Sequence, residues 1–366
     1  MNADLDNFEP VAKIKVIGVG GAGNNAVNRM IDENISNVDF YVANTDKQAL
    51  SLSKAPNRLI LGENLTNGLG AGGDPKVGKD AAEASEAEIR NIVKGTDLLF
   101  IAAGMGGGTG TGAAPVIAKI AKEEGCLTIA IVTRPFTFEG NKKTQYSVEG
   151  LNNLKENVDS LIVVSNDKLL MNNGNSSIST AFSEADKVLA RSVKTVTDLI
   201  LMPSFINLDF ADVRATLKDS GITLIGFGTG EGEKASEDAA LSALNCPLIE
   251  QSIQGARRAI CHVTCGPQVS LFECQDCVTK IIESSGGTMD IKFGISTNDQ
   301  LSDQILCSII ASDFVNDTVF SAPKKEEFVL TSKKEKPENN ESIEKTSKET
   351  IEDDIIPNFL EGKNFN

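Results

Sequence analysis

The residues of this chain best suited to chemistry are glycines with threonines between them. Gly106-Gly107-Gly108-Thr109-Gly110-Thr111-Gly112 follows Gly104 and Met105, between the apolar run Asp97–Ala103 and the helix-like Ala113–Ile120. Without Cβ atoms such a backbone takes positive φ and turns successive N–H groups inward, and a helix start adds its positive dipole end, so a phosphate is held by main chain. The pattern predicts a strand, a glycine loop, and a helix opening near Thr111 with Pro115 in its first turn. A flexible linker is the plain alternative, but linkers are seldom wedged between two apolar elements.

A second glycine loop lies upstream, where Lys13–Val19 runs into Gly20-Gly21-Ala22-Gly23-Asn24-Asn25. Gly18 to Gly23 satisfies G-x-G-x-x-G, and the following strand pattern Val38–Asn44 leads to Asp46, so a nicotinamide-dinucleotide site is a legitimate reading. The pair of loops argues against it: one pyrophosphate needs one fingerprint, whereas two loops suit a triphosphate gripped from both sides. No G-x-x-x-x-G-K-[ST] is present, which excludes a Walker-type site. A third segment, Thr66–Pro75, contains Ala71, Gly72 and Gly73. It either closes over the terminal phosphate or is a surface loop with Asp74 capping the helix-like Lys76–Lys94.

These loops must be positioned by the elements around them. Lys13–Val19, Val38–Asn44, Leu98–Ala103, Leu127–Thr133 and Leu161–Ser165 read as strands separated by helical patterns, which predicts a parallel sheet covered on both faces. In such sheets ligands bind beyond the carboxyl ends of the strands, where every glycine loop falls. Ile178–Leu201 is a long helical pattern with Phe182, Ala185, Leu189, Val193, Val196 and Ile200 on one stripe, ending at Pro203. Beyond it, Ile222–Phe227, Ala259–Cys265, Gly287–Phe293 and Ile305–Ala311 read as strands, interleaved with the helix-like Lys234–Asn245 and Glu273–Glu283. Between Pro323 and Thr350, seven Lys and seven Glu with almost no large apolar residue predict a disordered tether. A tether of about 35 residues spans on the order of 30 Å. Asp353–Leu360 then regains apolar residues, as a docking peptide would.

The net charge of −16, from 51 acids against 35 bases, argues against nucleic acid and anionic lipid as default partners. No stretch approaches the roughly 18 uncharged apolar residues of a membrane span, and Met1–Pro10 lacks signal-peptide features, so a cytoplasmic protein without direct membrane insertion is expected. Seven cysteines, an odd number, suggest reduced thiols. Cys261, Cys265, Cys274 and Cys277 beside the single histidine, His262, raise zinc as one reading and small buried side chains as the other; we assign no metal ligand.

The glycine signature at 106–112, Gly20-Gly21-Ala22-Gly23-Asn24, Asn44-Thr45-Asp46, Pro135–Gly140, Ser165–Lys168 and Asn207–Val213 together resemble the FtsZ family of bacterial tubulin homologues, over residues 10–315. The resemblance implies a Rossmann-like parallel-sheet GTPase domain at 11–177 after a flexible 1–10, a central helix at 178–203, and a smaller α/β polymerisation domain at 204–315. A disordered linker at 316–350 and a partner-binding peptide at 351–366 would follow. It implies GTP and GDP as ligands with Mg2+ accompanying the nucleotide, and head-to-tail filaments that form the division ring at mid-cell, on the inner face of the membrane. Membrane tethers and regulators would bind Asp353–Leu360. A non-division tubulin-like filament is the rival within the family.

Residue by residue, the resemblance places phosphate and sugar on Gly20, Gly21, Gly23 and Asn24, and further phosphate contacts on Gly106, Gly107, Gly108, Thr109 and Gly110. Ribose falls to Glu139, and guanine to Asn166 and Asp186, with Phe182 stacked on the ring. Ala22, Asn25, Asn44, Ala71, Gly72, Gly73, Gly104, Pro135 and Lys143 complete the implied pocket; Lys143 stands where the family commonly has arginine, losing the planar fork. Phe182 as core and Asp186 as a solvated helix face are the plain readings of spacing alone. Asn207, Asp209 and Asp212 are implied to act on the nucleotide of the neighbouring subunit; from spacing alone, acids at i and i+3 are helix caps.

Overall fold

The computed structural model describes residues 12–172, 177–201, 204–246, 253–287, 289–315 and 320; the expectations for 1–10, for most of the linker and for the C-terminal peptide lie outside them. In chain order the elements are β1 (Ile14–Val19), α1 (Gly20–Asp32), β2 (Asp39–Asn44), α2 (Lys47–Ser51), β3 (Asn57–Ile60), α3 (Glu63–Thr66), α4 (Pro75–Ala84) and α5 (Glu86–Val93). Then come β4 (Leu98–Gly104), α6 (Thr109–Glu123), β5 (Leu127–Arg134), α7 (Asn141–Lys155), β6 (Ser160–Ser165), α8 (Asn166–Asn172) and α9 (Ile178–Leu201). The last group is α10 (Phe210–Leu217), β7 (Gly221–Gly230), α11 (Ala235–Leu244), β8 (Ala256–Cys265), α12 (Leu271–Ser285), β9 (Asp290–Thr297) and β10 (Ile305–Phe314).

The strands hydrogen-bond in the order β3-β2-β1-β4-β5-β6-β7-β10-β8-β9. Pairing is parallel from β3 through to the first residues of β7. From Leu224 onward β7 pairs antiparallel with β10, so one strand passes from the N-terminal sheet into that of the C-terminal domain. Successive β1 and β4 residues divide between two cores. Val16, Leu98 and Phe100 face the layer of α1 and α9, while Ile17, Val19, Leu99 and Ile101 face the layer of α5 and α6. Burial on both faces is why these strands read as unbroken apolar runs. The α9 stripe of Ala185, Leu189, Val193, Val196 and Ile200 belongs to the first core.

Three local expectations are corrected, and one strand was not expected. The helix expected over Lys76–Lys94 is two helices, because Ser85 leaves helical geometry (ψ 21°) and its Oγ accepts from Gly62 N at 2.9 Å. The glycine loop enters its helix two residues early, at Thr109, so Pro115 lies inside α6; the Thr111 hydroxyl already accepts from Gly106 N at 2.8 Å within the turn. The strand expected from Gly287 begins at Asp290, because Gly286 and Gly287 (φ 95° and 79°) close α12 in left-handed geometry. The four-residue edge strand β3 was not anticipated: mostly half-exposed, it has neither an apolar run nor full burial to mark it.

All seven cysteines are free and buried. Cys261 Sγ lies 3.9 Å from Cys307 Sγ, and Cys261, Cys265, Cys274, Cys277 and Cys307 pack within the core of the C-terminal domain. His262 is paired with Ser296 Oγ at 3.1 Å, and burial lowers its pKa. Among the described residues no group of three or more His, Cys, Asp or Glu is placed to hold a metal ion.

Candidate functional site

Helices α1 and α6 begin where β1 and β4, neighbours in the sheet, end, and their N-termini share one cavity of about 260 Å³. This is the point where the order of strands reverses, with β2 on one side and β4 on the other. Neither helix has a side-chain cap or an acid in its first turn, in contrast to α2, α4, α10 and α12, which are capped by Asp46, Asp74, Asp209 and Ser270. The first N–H groups of two helices and two dipole ends are thus left to an external anion.

The glycines divide by role. Gly20 (φ 72°) and Gly106 (φ 103°) hold turns that a side chain would strain, and a Cβ at Gly106 would lie 2.9 Å from the Lys143 carbonyl. A Cβ at Gly21 or Gly107 would meet nothing within 4 Å, which leaves bare backbone beside the cavity. Gly20, Gly21, Ala22, Gly104, Gly107, Gly108, Thr109 and Gly110 all line it.

The opposite wall comes from β5, the turn after it, and α9. Pro135, Glu139, Phe182 and Asp186 line it, joined by Lys143 of α7 and Asn166 at the start of α8. Glu139 accepts from Phe136 N at 2.9 Å and from Lys143 Nζ at 2.8 Å, which sets its carboxylate at the rim. Asn166 is buried, and its Oδ1 has no partner among the described residues. A buried amide oxygen left unpaired is costly, so a ligand donor here is the simplest account of it. Asp186 is mostly buried, and desolvation pushes its carboxyl up to about 6 against the opposing charge of Arg29. It is not a solvated helix face. Phe182 is 42% exposed and stands edge-on to Phe136, centroids 5.0 Å apart, so its ring borders the cavity rather than filling the core.

Other expected residues stand behind this surface. Gly23 is buried, and a Cβ there would collide with the Ala102 carbonyl. The Asn24 amide, oriented by its neighbours, donates to the carbonyls of Gly20 and Gly18 and accepts from Asn44 Nδ2, so Asn24 and Asn44 brace the first loop from behind. Asn25 is exposed outside the cavity. Ala71 packs close to Gly108 and Asp74 caps α4, while Gly72 and Gly73 are exposed; this third loop abuts the second without lining the cavity. Met105, Thr133, Ala185 and Leu189 line the cavity although the sequence did not single them out for it. The last two lie three and seven residues beyond Phe182 on the α9 stripe, a helical spacing that was visible.

Asn207, Asp209 and Asp212 are elsewhere. Asp209 Oδ1 accepts from Asp212 N at 2.8 Å and Asp212 Oδ2 from Asp209 N at 3.3 Å, a reciprocal cap on α10. Asn207 Oδ1 accepts from Ser204 N at 2.6 Å, and Ile206 bridges to Ile295 of β9, at the far edge of the sheet. A larger groove of about 710 Å³ between α4, α6 and α7 is lined by side chains such as Lys79, Tyr146 and Glu149, and the α4 start that it reaches is already capped by Asp74; chemistry, not size, picks out the smaller cavity.

The family model of the tubulin/FtsZ GTPase domain matches residues 13–174, and that of the FtsZ C-terminal domain matches residues 221–315. A cell division protein FtsZ from Mycoplasmopsis pulmonis is 49% identical over 320 residues, covering 87% of this chain and 82% of that protein. Among solved structures, an FtsZ dimer from M. jannaschii superposes with a TM-score of 0.78 at 39% identity, covering 84% of this chain and 89% of that one. CetZ2 from Haloferax volcanii, solved as a GTPγS-bound protofilament, shares the fold, with a TM-score of 0.70 at 21% identity over 82% of this chain and 92% of that one.

Proposed function

We infer that this chain, which belongs to the FtsZ family of tubulin-like GTPases, works as a cell-division GTPase. The observation that carries the ligand reading is the convergence of two helix N-termini without side-chain caps on a cavity whose other wall holds the unpaired Asn166 Oδ1 and the half-buried Asp186. Phosphates rest on the backbone of Gly20, Gly21 and Gly107–Gly110, and a ribose hydroxyl meets Glu139. Asp186, ionised at neutral pH, accepts from the N1–H and exocyclic amine of guanine. Adenine offers an acceptor at N1, so the same carboxylate disfavours it. Phe182 stacks on the base. A Mg2+ bound with the nucleotide would supply charge neutralisation at the phosphates.

The acids Asp209 and Asp212 line no part of this cavity, and Asp212 pairs with Lys292 of β9, the strand at the far edge of the sheet. That separation supports action in trans: the α10 loop of one subunit completes the pocket of the next, so hydrolysis follows assembly. Such a contact is head-to-tail and builds a filament. Self-association is in keeping with the M. jannaschii dimer. No helix among the described residues is long and apolar enough to cross a membrane. Recruitment to the mid-cell membrane would pass through Asp353–Leu360 and a tethering protein. Equilibrium binding of GTP, GDP and ATP to the parent and to Asn166→Ala tests the pocket. Guanine-selective binding weakened in the variant supports it, and equal binding of ATP and GTP contradicts it.

A further inference from the structure

We propose that Lys292 positions Asp212 for action on the neighbouring subunit's nucleotide, pinning its carboxylate on α10 and entering the interface with it as a compensating cation. This rests on the reading of Asp212 as an acid acting in trans. Lys292 Nζ donates to Asp212 Oδ1 at 2.6 Å, and the other carboxylate oxygen takes the Asp209 amide at 3.3 Å. Asp212 is thereby held at both oxygens, by two elements distant in sequence. A reciprocal cap needs only one oxygen at its third residue; the second, among the described residues, is taken by Lys292.

The platform is stiff. Lys292 lies within β9, in register with Ile260 of β8, and Ile206 of the α10 loop is hydrogen-bonded to Ile295 of the same strand. The side chains of Lys292 and Asp212 remain 34% and 31% exposed, so the pair is open to an incoming surface. An ion pair this exposed adds little to folding stability, which leaves geometry and charge as its effects. The hydrogen bond and charge of Lys292 hold the Asp212 carboxyl below the usual carboxylate range, so it stays ionised through mild acid. Asp209 and Asp290 also act on Lys292. Without the lysine, the loop would bring two carboxylates and no cation towards a triphosphate, and like charges disfavour that approach. With it, the loop arrives less negative and its acid arrives already aimed.

The test compares the full-length parent, Lys292→Gln, Lys292→Arg and Asp212→Asn, measuring GTP turnover per assembled subunit, GDP affinity and the pH profile. Loss of a partner that orients a working ligand commonly costs at least tenfold. Lys292→Gln is therefore expected to turn over about tenfold more slowly once assembled, with GDP affinity unchanged and the acid limb of its profile moved to higher pH. Lys292→Arg should restore most of the rate. Full turnover in assembled Lys292→Gln, with Asp212→Asn slow, would overturn the role of Lys292 alone. Full turnover in assembled Asp212→Asn would instead overturn the action in trans on which it rests.

Discussion

Replacing Asp186 with asparagine is expected to stabilise the nucleotide-free protein while removing its preference for guanine. Burial raises the carboxyl from 3.8 to about 6. A group raised on folding favours the native state only while protonated: its contribution is full below the unfolded pKa and is lost as pH rises through the folded one. At pH 7.5 ionised Asp186 therefore costs the empty protein up to about 3 kcal/mol, an upper bound because some solvent still screens it, and at pH 5 about half of that. Asparagine keeps the size and sheds the charge. Urea unfolding of nucleotide-free parent and Asp186→Asn at both pH values reads the difference, with binding of GDP measured alongside. The expected result is a variant more stable by about 2 kcal/mol at pH 7.5, with a smaller gain at pH 5 and guanine selectivity lost. An unchanged or lowered stability at pH 7.5 would show that ionised Asp186 carries no such cost, and a gain independent of pH would assign the effect to packing.

Three further outcomes follow from the geometry. Phe182→Ala should weaken nucleotide binding by about 1–3 kcal/mol through lost stacking; with the ring 42% exposed, the urea midpoint should barely move. Gly106→Ala forces a side chain into φ 103° against the Lys143 carbonyl, and should cost about 1–3 kcal/mol of stability and displace the loop, read as weaker GTP binding. Asp159 is buried, accepts from Thr128 N at 2.8 Å and pairs with Lys122 at 3.3 Å, so Asp159→Ala should lower unfolding free energy by about 3 kcal/mol through the donors it strands.

The sheet and both phosphate loops were legible because their signals are local: apolar runs buried on both faces, and glycines where a side chain would strain or collide. Phe182 and Asp186 had to be carried by resemblance, since on a helix wheel an exposed aromatic and a half-buried acid look like core and surface reversed. What Asn24 and Asn44 do was hidden for another reason. Their partners are each other and the backbone of the loop, a tertiary arrangement no spacing reveals. Lys292 belongs to the same class, 80 residues from the acid it holds. Pro115 misled because proline marks first turns often, and here the preceding loop had already become helix.

On the proposed mechanism, nucleotide bound at the α1 and α6 N-termini is hydrolysed with help from the Asp212 loop of the next subunit. Phosphate release from GTP and from ATP, followed across protein concentration with light scattering, for the parent and for Asp212→Asn, tests it most directly. The expected result is guanine-selective turnover that rises above a threshold concentration together with scattering, and in Asp212→Asn a polymer that persists while hydrolysis falls. Turnover strictly proportional to concentration, without a threshold and unaltered by the substitution, would contradict it.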